Sequence, residues 1–167
     1  MRYVVITMIM ILSGVNLAAA QTEAFIRQRD SLHGLPGVQL VVEGIKSDAK
    51  ADGFSTEAIQ TAAEAILQSS GIWVLTGPER VRIPSAPFLY VNVNTTKSER
   101  GLYSFSVVIQ LNQVVTLLTA ENKRTYGTTW SSRSTGHTGA DNLPQVVQVV
   151  EEHIKRFADD FLAVNPR

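Results

Sequence analysis

Leu102 to Leu117 reads LYSFSVVIQLNQVVTL, and this stretch decides the fold. Its odd positions are almost all apolar (Tyr103, Phe105, Val107, Ile109, Leu111, Val115, Leu117), while its even positions include Ser104, Ser106, Gln110, Asn112 and Thr116. Period-2 alternation over that length predicts one long strand with one face buried and one wet. Thr119 to Asn122 supplies a turn, and Lys123 to Thr135 (KRTYGTTWSSRST), rich in Thr and aromatics, predicts the return strand. Upstream, Phe88 to Asn94 (FLYVNVN) alternates in the same way, with Leu89, Val91 and Val93 on one side and Phe88, Tyr90, Asn92 and Asn94 on the other.

A buried sheet face needs a cover, and two segments provide it. Leu143, Val147, Val150, Ile154, Phe157, Phe161 and Val164 recur at alternating spacings of four and three, which is one continuous stripe on a helix. Val146 and Val149 widen that stripe beyond a narrow coiled-coil seam and favour a sheet as partner. Asp141 or Asn142 is the expected cap, with Pro144 in the permitted first turn. The second cover is a helix from Ser55 or Thr56 to about Ser70, with Ile59, Ala62, Ala63, Ile66 and Leu67 on one side. It is flanked by the strands Val38–Glu43 and Ile72–Leu75, and a strand–helix–strand unit favours two parallel strands. Lys46 to Gly53 and Thr76 to Pro87 read as loops, and Gly136 to Gly139 as the end of the sheet. The order β-α-β-β-β-α predicts an α+β fold: a two-layer sandwich with a mixed sheet and two helices packed on one face.

Ahead of this domain (residues 38–167), residues 1–20 read as a secretory signal peptide. Arg2 precedes an apolar run to Leu12, and Ala18 and Ala20 form an A-x-A site. The run is about half the ~20 residues a spanning helix needs, so no transmembrane anchor is expected after its removal. Residues 21–37 read as an N-terminal extension in which Phe25, Ile26 and Leu32 could form a short helix. The protein is expected to be exported, to periplasm or medium.

Composition narrows the function. Fifteen basic and fifteen acidic side chains cancel, which removes the electrostatic case for nucleic acid. Cysteine is absent, so disulfides, a thiolate nucleophile, a Cys-based zinc site and a lipidated amino terminus are all excluded. His33, His137 and His153 have no metal-ligand spacing; His153 reads as solvated and His137 with Asp141 as the one pairing to weigh for catalysis. The hydroxyl-rich run Ser131–Thr135 lacks a G-x-S-x-G turn, and the phosphate-loop and G-x-G-x-x-G patterns are missing. No catalytic, cofactor or metal residue is therefore assigned. Asn94-Thr95-Thr96 matches the N-glycosylation acceptor, a pattern that chance supplies often. The expected binding surface is Tyr90, Asn92 and Asn94 with Tyr126 and Trp130, brought together if the last three strands pair in order. Trp130 has a competing reading, as an inward side chain packing against the helices.

Leu89–Asn94, the Tyr103–Leu111 strand, Thr128-Thr129-Trp130 and the ending Phe161–Pro166 together resemble uncharacterised small exported bacterial proteins. The likeness is structural and carries over no catalytic residue. In architecture the chain also looks like the amino-terminal domain of TolB and the periplasmic activator LpoB, which implies envelope-assembly and protein-contact roles. It departs from the activator in lacking a lipidation cysteine. The expected function is a non-enzymatic exported domain that contacts an envelope protein partner, through the open sheet face or an edge strand. The alternatives are a glycan or small-molecule binder using the exposed aromatics, and an enzyme centred on His137.

Overall fold

The structure is a computed structural model that describes residues 28–119 and 121–166. The signal segment, Phe25 and Ile26 lie outside the described residues. The elements run β1 (Gly37–Val42), α1 (Ser47–Ala51), α2 (Thr56–Ser69), β2 (Trp73–Val74), α3 (Gly77–Arg80), β3 (Phe88–Lys97), β4 (Leu102–Leu117), β5 (Lys123–Gly139) and α4 (Val146–Val164). The sheet order is β2-β1-β3-β4-β5. β1 is parallel to β2 and β3, and β3, β4 and β5 form an antiparallel meander. This is the mixed-sheet α+β sandwich that the hydrophobic pattern predicts.

The buried side of the sheet is the predicted one. Leu89, Val91 and Val93 of β3 and Tyr103, Val107, Ile109 and Leu111 of β4 join a single core with Ile59, Ala63 and Leu67 of α2 and Val150, Ile154, Phe157 and Phe161 of α4. Ser55 caps α2 by accepting from the Ala58 amide at 3.1 Å, and Gly71 follows with φ +63°, a left-handed conformation that glycine reaches without penalty. β1 and β2 approach closely: a Cβ on Gly37 would collide with the carbonyl oxygen of Trp73.

Several local expectations are corrected. Lys46–Gly53 is not a plain loop, since Ala49 of α1 is buried and Asp52 accepts from the Tyr103 hydroxyl at 2.7 Å and from Lys97 at 2.6 Å. Thr76–Pro87 contains α3, closed by a capping box between Thr76 and Glu79. Gly136–Gly139 does not break the sheet, because β5 pairs with β4 as far as Gly139 opposite Leu102. Neither Asp141 nor Asn142 caps the last helix: a 3-10 turn over Ala140–Gln145 intervenes, and α4 starts at Val146 without a side-chain cap. Ile72–Leu75 shrinks to a two-residue edge strand.

Residues 28–37 belong to the domain and are no separate extension. Leu32 and Leu35 enter the core. Ser31 donates to the Thr129 carbonyl at 3.2 Å, and the Gln28 side chain accepts from the Ser131 amide at 2.9 Å, so this segment covers part of the free edge of β5. Asn165, beyond α4, accepts from the Gly34 amide at 2.7 Å and donates to the Leu32 carbonyl at 2.9 Å.

The site depends on a mismatch of length. β4 has 16 residues, which at ~3.3 Å each extends about 50 Å. α4 has 19 residues, which at ~1.5 Å each covers only about 28 Å. β3 pairs with β4 no further than Asn112, so Gln113–Leu117 have β5 as their only strand neighbour. The end of the β4–β5 hairpin is a projecting arm.

Candidate functional site: the arm and its cleft

A β-bulge decides which side chains this arm presents. Leu111 pairs with Trp130 but Asn112 pairs with Thr128, leaving Thr129 as an extra residue on β5. Gln113 closes the bulge, donating to Thr129 Oγ1 at 2.7 Å and to the Ser31 carbonyl at 3.0 Å. An extra residue reverses side-chain parity, so Trp130 and Tyr126 take opposite faces although they are four apart. Trp130 is therefore not part of an exposed surface; it is 2% exposed, and its ring meets Phe157 edge-on at 5.1 Å. Its indole N–H donates to Asp160 at 3.0 Å, and Asp160 also accepts from Arg29 at 2.9 Å. Trp130 is thus an inward side chain packed against the helices.

The remaining residues of the expected surface separate into two groups. Tyr90 and Asn92 both donate to the Glu43 carboxylate, and Asn94 donates to Asn92. The Tyr90 hydroxyl, then the Asn92 amide, hold the Glu43 carboxyl below the usual carboxylate range, and the same bond raises the Tyr90 hydroxyl. These polar groups satisfy one another along the sheet. Tyr126 is elsewhere, on the open side of β5: its ring meets Phe88 at 5.7 Å, and its hydroxyl accepts from Arg80 at 3.1 Å. The Arg80 guanidinium stacks over both rings, 5.4 Å from Phe88 and 6.0 Å from Tyr126.

Beside Tyr126 lies a cleft of about 540 Å3 between the loop after α3 and the arm. Val81, Ile83, Ala86 and Val114 supply its apolar lining, and Arg82 and Arg124 its charge. Arg124 donates to the Pro84 carbonyl at 2.6 Å and the Val114 amide to the Ser85 carbonyl at 2.7 Å, so loop and arm are tied together. Among the described residues, four of the six exposed large hydrophobic side chains belong to this end: Val81, Leu117, Leu118 and Tyr126. Leu117, expected inward, is 42% exposed because no helix reaches it. Alternation marks the face a residue takes, and only the layer lengths reveal that this stretch is uncovered. The arginines of the loop gave no sequence signal, since the loop's path across the arm is a tertiary outcome.

The histidines are placed as follows. His33 is exposed in the N-terminal segment. His137 is exposed on β5, 3.1 Å from the Ser104 hydroxyl, and Asp141 is not among its hydrogen-bond partners. It borders two depressions of about 260 and 300 Å3. His153 is not solvated; it is half-buried between Ser132 (2.7 Å to Nδ1) and Ser134 (2.9 Å to Nε2). Desolvation first, and then the nearby Arg156 charge, lower its pKa. A neutral imidazole donates through one nitrogen and accepts through the other, so it ties α4 to β5. With His153, Phe157 and Asp160 spaced four and three apart, one flank of α4 faces Ser132, Ser134 and Trp130. Among the described residues, no three His, Asp or Glu side chains group to hold a metal ion, and no helix is long and apolar enough to cross a membrane.

No known protein family and no curated protein matches the chain. Among solved structures it is similar to a minor lipoprotein from Acinetobacter baumannii, with 9% identity over 78% of this chain and 93% of that one, at a TM-score of 0.32. At that score the likeness carries nothing about function, which rests on the geometry of the arm and cleft.

Proposed function

We propose that the chain is a non-enzymatic exported domain that contacts a protein partner in the bacterial envelope through the projecting arm and its cleft. The observation that carries this reading is a cleft of about 540 Å3 lined by exposed Val81 and Tyr126, on the same arm whose tip exposes Leu117 and Leu118. Apolar side chains gathered at one end of a domain, beside a concavity and next to arginine and tyrosine, are what an interface anchor requires. Export follows from the signal-peptide reading of residues 1–20. The polar residues of the open sheet face are engaged with one another, which makes that face a weaker candidate than the arm. Burial of Trp130 likewise leaves a glycan-binding reading without its largest aromatic platform. Ser132 is buried against the half-buried His153, and among the described residues no carboxylate hydrogen-bonds that imidazole, which favours a positioning role over nucleophilic chemistry.

The test is cross-linked capture from the native envelope with the tagged full chain. Val81→Glu combined with Leu118→Glu is expected to abolish capture at unchanged melting temperature, while Tyr90→Ala with Asn94→Ala retains it. The reverse outcome assigns contact to the open sheet face.

A further inference from the structure

We infer that the cleft receives a partner peptide segment presenting a carboxylate beside an apolar side chain. This rests on the partner-contact reading above and adds the chemistry of the partner. The charge is segregated: the chain as a whole is neutral, with fifteen basic and fifteen acidic side chains, yet two arginines line this cleft and no acidic residue does. Arg82 is exposed, and among the described residues its side chain has no hydrogen-bond partner. Arg124 is steadied by one bond to the Pro84 carbonyl, which leaves its remaining N–H groups available. Behind them Arg80 holds Tyr126 and the Ala86 carbonyl, and its Nε is buried without a hydrogen-bond partner. Glu79, whose charge interacts with that of Arg82, spends the hydrogen bonds of its carboxylate on Thr76.

Guanidinium groups match carboxylate geometry through paired N–H donors, and a lining with two guanidinium groups and no acidic side chain attracts an anionic partner. The apolar lining asks for a hydrocarbon or aromatic side chain next to that carboxylate. Concavity favours a protein partner over a lipid surface, because a headgroup layer would pass over the cleft without reaching Ile83 and Val114. A volume of this size accepts one or two protruding side chains.

The test uses two synthetic peptides, blocked at both ends, that alternate Asp with Phe and Leu in one and Asn with Phe and Leu in the other. Amide shifts of Val81, Val114 and Thr125 report binding to the full chain. The acidic peptide is expected to bind at least tenfold tighter than its neutral twin. Arg82→Glu should remove most of that difference, Arg82→Lys less, and added salt should weaken the acidic peptide selectively. Equal binding of the twins, no shift at millimolar peptide, or indifference to Arg82→Glu overturns the inference. So does sedimentation with phosphatidylglycerol vesicles that depends on Arg82, which assigns the surface to membrane. Envelope capture separates the two levels. If Val81→Glu with Leu118→Glu abolishes capture and Arg82→Glu does not, the contact reading stands and the acidic segment falls. If none of these variants matters, the contact reading itself falls.

Discussion

The two ends of β4 carry leucines on the same odd-numbered face, and these meet opposite fates. In the first half Tyr103, Val107, Ile109 and Leu111 are fully buried beneath the helices, with β3 and β5 on either side. Beyond Asn112 the strand has β5 as its only strand neighbour and no helical cover, and Leu117 at its end and Leu118 just past it are 42% and 86% exposed. Period-2 patterning thus fixes which side a residue takes. Whether that side is dry depends on the length of the layer above it.

The sharpest way to break this comparison is to truncate one leucine in the covered half and one just past the end of the arm's strand. Leu111→Ala should cost about 2–5 kcal/mol in urea unfolding, through lost burial and the cavity left behind, while Leu118→Ala should stay within about 0.5 kcal/mol. Comparable losses at both positions would mean that the arm is covered. Gly37→Ala tests the covered end at its tightest point, the contact with Trp73, and is expected to cost about 1–3 kcal/mol by forcing β1 and β2 apart.

A smaller effect is expected at the seam where the bulge turns Trp130 inward. Trp130→Phe removes the indole donor to Asp160 and should cost about 1–3 kcal/mol, whereas Tyr126→Phe, on the exposed side, should stay below about 1 kcal/mol. Equal costs would show that the bulge does not separate the two residues.

The smallest effect is a dependence on pH. An unfolded histidine titrates near 6.5, and His153 is lowered from that value in the fold. Between the two values the unfolded chain binds a proton that the folded chain does not. The contribution of His153 is therefore intact above about pH 6.5 and is lost as pH falls toward the lowered value. Thermal melts at pH 7.5 and 5.5 should show a larger drop for the native protein than for His153→Gln; parallel drops would contradict the burial of His153 between Ser132 and Ser134.

Much of the architecture was readable because hydrophobic spacing is a local record of burial. The Leu143–Val164 stripe and the alternation of β3 and β4 place two layers correctly before any coordinates. Three features were not readable for physical reasons. The Thr129 bulge is invisible because parity counting assumes one residue against one, and this alone moved Trp130 off the expected surface. α1 is a five-residue helix held by distant partners, with Asp52 receiving Tyr103 and Lys97, so no local propensity announces it. His153 lies off the apolar stripe, and its burial depends on serines of a strand twenty residues away in sequence. The candidate site was half legible: Tyr126 was named, but Arg80, Val81 and Arg82 reach it only through the placement of α3 and the loop after it.

Hydrogen–deuterium exchange of the full chain, alone and bound to the partner captured from the envelope, addresses the account most directly. Protection should concentrate in residues 81–86, 113–118 and 124–126, with the strand segment 90–94 unchanged. Protection confined to 90–94 or to the free edge at 131–139, with the arm exchanging as before, would contradict it.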